Sequence, residues 1–503
     1  MKIRARFLDI SAEPLALMHA EDAAKIGAKD NDRVKIDAKA STTALLNVSD
    51  TFGSPGEVIL SGVLRRKIAA EDGDEVGVSY ASNPESVRSI RRKMDGEALS
   101  REEISAIVRD ILEGRLSKIE ISAWLTALYI NGMDLDEIAA FTESMVDTGD
   151  RVDFGAASVY DFHSLGGVPG NKITPIVVSI AASAGLMIPK TSSRAISSAC
   201  GTSDFVETFC NVELRADELK RISQEVGGVL AWGGSMNLAP VDDMVISIEH
   251  PLGINPRAQM LASILSKKLA IGATHLVVDI PTGQGTKVPT FEVAKEYARD
   301  LMGLGERLNV RVECAITYAD QPVGNAIGPI LEARECIRIL EGDRHPSSVV
   351  EKACELAGMI LEMGGIPNGG ERAREILSSG KALEKFRQIV AAQGGDPGIK
   401  SADLVPGRHV ADVASAKSGY VHSIKNKDIV AVAKAAGAPA DKGAGVLLHK
   451  KKGQRVEKGD LLFQIYGDNE AKVARAKELA EKYQPCEIEG MLLKKITSVK
   501  TVA

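Results

Sequence analysis

Residues 161–207 read DFHSLGGVPGNKITPIVVSIAASAGLMIPKTSSRAISSACGTSDFVE. Two glycine-punctuated loops, 163–171 and 192–202, flank an apolar run over 173–188 whose composition predicts a buried helix running into a strand. Gly166, Gly167 and Gly170 carry no Cβ, so backbone N–H groups there can come close to a ligand. Ser164, Ser192, Ser193, Ser197, Ser198 and Thr202 supply neutral hydroxyl donors, and Arg194 supplies a fixed cationic fork. Phosphate oxygens favour such N–H donors at turns and helix starts. Glycine and serine also dominate ordinary turns, so the residues by themselves leave an anion cradle and a plain run of loops both open.

Upstream, residues 1–84 alternate short apolar stretches, MKIRARFLDI, DRVKIDA, GEVILS and DEVGVSY, with Asp, Asn and Gly turns. Period-two alternation with such punctuation predicts a small β-rich domain. It holds no clustered acid, base or metal ligand, which points to assembly or support. From Pro84 onward the period becomes helical. Ser100 with Glu103 forms a capping box before Ile104, Ile107, Val108 and Ile111, and Asp134 with Glu137 marks a second helix start. Between them Ile121, Trp124, Leu125 and Leu128 share one helix face and read as core.

Downstream, THLVVDIP and RVECAITYA are continuous apolar runs, the pattern of strands buried on both faces. Strands alternating with helices predict a largely parallel or mixed sheet. The turn DIPTGQGTKV follows one of those strands at its C-terminal end, where ligands of α/β folds gather. Its Lys287 is a candidate phosphate contact or, equally on composition, a solvated turn lysine. Composition loosens over 397–406, and beyond it SGYVHSIKNKDI and LLHKKKGQRVEKGDLLFQIYGD read as strands and tight turns. KKGQRVEKGD resembles the hairpins of biotinoyl or lipoyl-type domains without their modified lysine tripeptide, which favours a dimer-supporting cap.

The chain has 503 residues, more than one hydrophobic core usually supports. The expected fold is a multidomain α/β protein: β-rich 1–84, helical 85–155 with helices from about 250–270 as candidates to join it, α/β 156–400, and α+β 408–503. A net charge of −6 gives no basic surface for nucleic acid. No apolar run is long enough to read as a membrane span, and no signal peptide opens the chain, so a cytoplasmic setting is expected. Six scattered cysteines, without a C-x-x-C pair, suggest neither a zinc site nor a disulfide framework, although Cys200 falls inside the cradle.

DFHSLGG followed by SSRAISSACGTSD is similar to the paired loops of the thymidine and pyrimidine nucleoside phosphorylases. LAPVDD at 238–243, LASILSKKLA at 261–270 and QPVGNAIGPILEARE at 321–335 extend the match over most of the chain from about Glu85. The extra N-terminal domain and the GGVPGNK and SRAISS forms resemble the AMP phosphorylases of that family most closely. The resemblance implies a helical domain and a mixed-sheet α/β domain forming a cleft, a homodimer core with higher homo-oligomers, and no metal or organic cofactor. It also implies phosphorolysis, in which phosphate displaces a base at ribose C1′; the small-molecule substrates would be AMP and phosphate.

By the same resemblance, inorganic phosphate falls to Ser164, Ser192 and Thr202, while Phe162 stands where the nucleoside enzymes have a lysine. Gly167, the stretch Ser193, Arg194, Ala195, Ile196, Ser197 and Ser198, together with Thr202 and Lys287, are implied to hold the nucleotide. Base recognition falls on Glu249, Ser263 and Lys267. Glu249 is an arginine in the nucleoside enzymes. A carboxylate offers acceptors only, which favours a base with an exocyclic amino group. The proton donor aligns as an aspartate in the AMP phosphorylases, yet GINPR places Asn255 there. An amide cannot transfer a proton at neutral pH, which leaves His163 as the substitute acid or a chain with weakened chemistry. Two alternatives are a nucleoside phosphorylase and a phosphoribosyltransferase resembling the anthranilate enzyme, although LGGVPGN lacks the aspartate of the latter's GTGGD loop.

Overall fold

The computed structural model describes residues 1–8, 14–155, 157–195 and 198–492. The chain divides into two compact units, one of Met1–Gly149 with Ala239–Ser266 and one of Asp150–Leu238 with Lys267–Ala503.

In the first unit the alternation seen in the sequence closes into a barrel. Strands β1 (Lys2–Leu8), β2 (Leu15–His19), β3 (Arg33–Asp37), β4 (Ser41–Ser49), β5 (Glu57–Ser61) and β6 (Glu75–Ala81) pair in the order β1-β5-β2-β4-β3-β6. Ile3, Ala5, Val34, Ile36, Ala44, Leu46, Val58, Leu60, Val76 and Val78 point inward and form its core. Closure leaves no strand edge unpaired. Helices Ser86–Met94, Arg101–Glu113, Lys118–Asn131 and Leu135–Asp147 follow. Both expected capping boxes are present, and Ser117 with Glu120 adds a third. Trp124 is fully buried and packs edge-on against Phe141, as its helix face foretold. Helix Pro240–Leu252 packs on this bundle, and the unit boundary falls inside helix Arg257–Ala270.

The second unit is built on parallel strands. β7 (Tyr160–Ser164), β10 (His275–Thr282) and β11 (Arg311–Tyr318) pair in parallel in the order β11-β10-β7, and β8 (Ile188–Ser192) pairs in parallel with β9 (Gly228–Trp232). A parallel bridge from Val159 to Met187 links the two ladders. The apolar run after the first glycine loop forms helix Thr174–Ser183, and every one of its residues up to Ala182 is buried. Among the described residues of 156–400, the antiparallel component expected of a mixed sheet is confined to β12 (Ala326–Ile327), which pairs with β15 (Gly445–Leu448). The C-terminal part holds two antiparallel sheets, β12-β15-β17-β13 and β16-β14-β18. Their remaining strands are β13 (His409–Ala414), β14 (Gly419–Ile424), β16 (Arg455–Val456), β17 (Leu461–Gly467) and β18 (Cys486–Glu489), with helices Asn426–Ala436 and Glu470–Tyr483 packed on them. Among the described residues, no helix is long and apolar enough to cross a membrane.

Candidate active site

The cradle lies in the second unit, where β7 and β8 end. Gly166, Gly167 and Gly170 all have φ between +67° and +85°, a region that side chains disfavour, so the loop needs glycine at each. At Gly167 a Cβ would come within 3.3 Å of the Lys287 backbone nitrogen and Cγ, which brings the turn after β10 against the glycine loop. Helix Thr174–Ser183 starts from this loop and Thr202 opens the short helix Thr202–Val206, their Thr174 and Thr202 hydroxyls 3.4 Å apart.

The second loop is held by a carboxylate. Asp204, 3% exposed, accepts from the backbone N–H of Ala195 at 2.7 Å and of Gly201 at 2.8 Å. Gly201 packs so closely on the Ser193–Ala195 backbone that a Cβ would meet it at 2.6 Å. Ser198 donates to the Cys200 carbonyl at 3.1 Å, and the Ser193 carbonyl accepts from Ser203 N–H. Ile196 and Ser197 lie outside the described residues.

Two expectations change on inspection of partners. The Arg194 guanidinium, read as a fork for phosphate, pairs with Glu207 and with Glu213 at 3.0 Å, lies 3.9 Å from Asp204, and stacks over Trp232 at 4.6 Å. An acidic cluster therefore claims it. Ser164 donates its proton to Asp279 at 2.6 Å, so its hydroxyl faces a ligand with lone pairs rather than a proton. Asp279 also accepts from Thr317 at 2.5 Å and pairs with Lys352 at 2.8 Å, tying the ends of β7, β10 and β11 together. Cys200 is no nucleophile, because burial, with Glu332 and Asp204 nearby, holds its thiol well above the usual range.

His163 is the third correction. Removal from water and the fields of Lys268, Lys190, Lys287 and Lys267 push its imidazole well below the ordinary value. That direction favours the neutral ring and argues against the acid role expected of His163. The same four ammonium groups therefore converge on this end of the sheet. Lys190 and Lys268, 4% and 2% exposed, share the buried Asp161, at 3.8 Å and 2.7 Å. The sequence reading missed both. A lysine in the middle of the apolar run LMIPKTSS was the available signal.

The first unit holds the other implied positions. Glu249 is buried on helix Pro240–Leu252. Ser263 donates to Asp242 at 2.8 Å, and Gln259 donates to the other oxygen of Asp242 at 2.9 Å. Asp242, from LAPVDD, thus fixes Ser263 and was unremarked in the sequence. Asn255, just before helix Arg257–Ala270, directs its amide to the Met260 sulfur at 3.6 Å.

Comparison with known proteins agrees with this anatomy. The sequence models for the helical bundle domain and the a/b domain of the glycosyl transferase family match residues 87–149 and 156–383, and that of the pyrimidine nucleoside phosphorylase C-terminal domain matches 420–487. Relatives include the AMP phosphorylase of Thermococcus kodakarensis, 49% identical over 99% of this chain and all of that protein, and AMP phosphorylase 1 of Archaeoglobus fulgidus, 47% identical over 95% of both. Anthranilate phosphoribosyltransferase from Thermus thermophilus shares the fold, with a TM-score of 0.52 over 61% of this chain and 99% of its own at 20% identity. Matched end to end at nearly half identity, the chain belongs to the AMP phosphorylases of the thymidine and pyrimidine nucleoside phosphorylase family.

Proposed function

We propose that the chain is an AMP phosphorylase, converting AMP and phosphate into ribose 1,5-bisphosphate and adenine. The observation that carries this reading is the charge around the cradle. Lys190, Lys267, Lys268 and Lys287 act on one point, with Asp161 as the shared carboxylate of two of them, while Asp279 is balanced by Lys352. Such a gathering of ammonium groups suits two phosphoryl groups, one on the nucleophile and one on the sugar's fifth carbon. A nucleoside would bring only the first.

In this reading Ser192, Thr202 and the N–H groups of the glycine loop fix phosphate beneath C1′, Gly167 with Lys287 and the Ser193–Ser198 stretch receives the 5′-phosphate, and Glu249, Ser263 and Lys267 hold the base. Fixing both reactants removes much of the entropic barrier. Negative charge then builds on the departing base, which needs a proton or a strong donor. Asn255 supplies only a hydrogen bond, so turnover is slower than with a carboxylic acid. A cytoplasmic homo-oligomer, with CMP and UMP as further substrates, completes the reading. A second one, an AMP-binding protein with impaired chemistry, is favoured by Asn255 itself.

The deciding experiment compares wild type with Asn255→Asp on AMP, adenosine and thymidine, each with phosphate. The expected result is phosphate-dependent adenine release from AMP that rises by about 10²–10⁴-fold in the variant, the range of general acid catalysis. Faster turnover of the unphosphorylated nucleosides rejects the assignment. Tight AMP binding without release in wild type, rescued by the aspartate, selects the second reading.

A further inference from the structure

Three side chains of the C-terminal part reach loops around the cradle. Lys442 pairs with Glu207, which also holds Arg194 of the second cradle loop. Lys451 donates to the carbonyls of Pro322 at 2.6 Å and Gly324 at 2.7 Å. Asn426, 2% exposed at the start of helix Asn426–Ala436, donates to the carbonyls of Ala319 at 2.9 Å and Gln284 at 3.3 Å.

Asn426 stands apart because of what its two loops carry. Ala319 follows β11 and donates its N–H to the Thr282 carbonyl at the end of β10, at 2.9 Å. Gln284 lies in the turn that leaves β10 and leads to Lys287, and its N–H donates to Asp320 at 2.8 Å. The tip of that turn rests on the helix: at Gly285, φ +77°, a Cβ would stand 3.7 Å from Cβ of Asn426 and 3.8 Å from Cγ of Lys427. Its far end meets the glycine loop, where a Cβ at Gly167 would lie 3.3 Å from the Lys287 nitrogen. The turn therefore runs from Asn426 at one end to the cradle at the other.

The amide is committed to this orientation. Two carbonyls face it, so only its nitrogen can point at them, and Oδ1 is left buried without a donor. An unpaired buried acceptor is costly. A leucine of similar size would fill the space without that cost, but it could not hold the Gln284 carbonyl.

We propose that Asn426 is a positioning residue for nucleotide binding: by tying Gln284 to Ala319 it fixes the turn from which Lys287 meets the 5′-phosphate. It acts through Lys287 and not on the substrate. The C-terminal part, expected from the sequence to be a dimer-supporting cap, thereby shapes the site itself. The inference rests on the AMP reading, which supplies the phosphate that Lys287 receives.

The test titrates AMP and adenosine calorimetrically into wild type, Asn426→Leu, Lys287→Met and the double variant. The difference between the two ligands isolates the 5′-phosphate. Wild type should prefer AMP, and Lys287→Met should lose about tenfold or more of that preference, the scale of one charged hydrogen bond. Asn426→Leu should lose about threefold or more of it, through AMP, while adenosine affinity stays within about twofold. In the double variant the leucine should add less than about twofold to the loss from Lys287→Met, because it works through that lysine. Equal losses for AMP and adenosine, an unchanged preference, or full additivity would each overturn the role of Asn426. Asn426→Ala decides in the same way should the leucine variant not fold. A wild type that binds adenosine as tightly as AMP, or a preference that Lys287→Met leaves intact, would defeat the AMP reading and this inference with it. Loss of the preference in Lys287→Met but not in Asn426→Leu would defeat the inference alone.

Discussion

Two buried lysine networks in the second unit differ in how their charges close. Lys172 has no exposed surface, lies 2.5 Å from Glu335 and 3.1 Å from the Val323 carbonyl, and Glu335 also accepts the backbone N–H groups of Asn325 and Ala326. A Cβ at Gly170 or Gly324 would come within 3.3 Å or 2.7 Å of the Lys172 nitrogen, so the glycines seal the pair. Lys451, from the C-terminal part, caps the same loop through the carbonyls of Pro322 at 2.6 Å and Gly324 at 2.7 Å. Around Asp161, by contrast, two buried ammonium groups meet one buried carboxylate two to three residues before the ends of β7 and β8. The first network is matched one to one and holds loops in place. The second carries two ammonium groups on one carboxylate beside a glycine-and-hydroxyl cradle.

Breaking the matched network should have the largest effect. Lys172→Met leaves Glu335 buried without its cation, and the expected loss is about 3–5 kcal/mol of stability in chemical denaturation. A smaller loss would mean that the two backbone donors suffice for Glu335. Glu332, beside this network, sharpens the comparison because burial raises its carboxyl to about 7. The native state keeps a proton that the unfolded chain has already released above its ordinary value of 4.5. Its ionisation therefore costs stability increasingly from pH 4.5 to about 7 and fully above that. Glu332→Gln should gain up to about 3 kcal/mol at pH 8 and almost nothing near pH 4. Equal gains at both pH values would assign the effect to packing.

At the unmatched site the expected effects are smaller. Without phosphate, Lys190→Gln should be no less stable than wild type. The smallest effect belongs to Arg194→Lys, since its partner Glu213 is largely exposed to solvent and Glu207 is partly so. Less than about 1 kcal/mol of stability should be lost, with phosphate affinity nearly unchanged. A large drop in phosphate affinity would return Arg194 to the role its sequence position suggested.

The contrast also explains what could be read without coordinates. The strands of the N-terminal domain, though not their closure into a barrel, the capped helices and the run from helix Thr174–Ser183 into β8 were legible because period and capping are local signals, carried by residues such as Ser100 with Glu103 or the alternation of Ile3 and Ala5. The glycines of the cradle were legible for the same reason, since positive φ at Gly166, Gly167 and Gly170 is a property of single residues. Partner choice was not legible. Arg194 turned to Glu207, Ser164 to Asp279 and Ser263 to Asp242 through contacts between residues 13 to 115 positions apart. Lys190 and Lys268 escaped notice because a buried lysine looks like a surface one until Asp161 is placed between them.

The most direct measurement is product analysis after wild-type enzyme meets AMP and inorganic phosphate. Adenine and ribose 1,5-bisphosphate formed in equal amounts, and only when phosphate is present, is the predicted outcome. Adenine released without phosphate, or released from adenosine faster than from AMP, would contradict a site built for two phosphoryl groups.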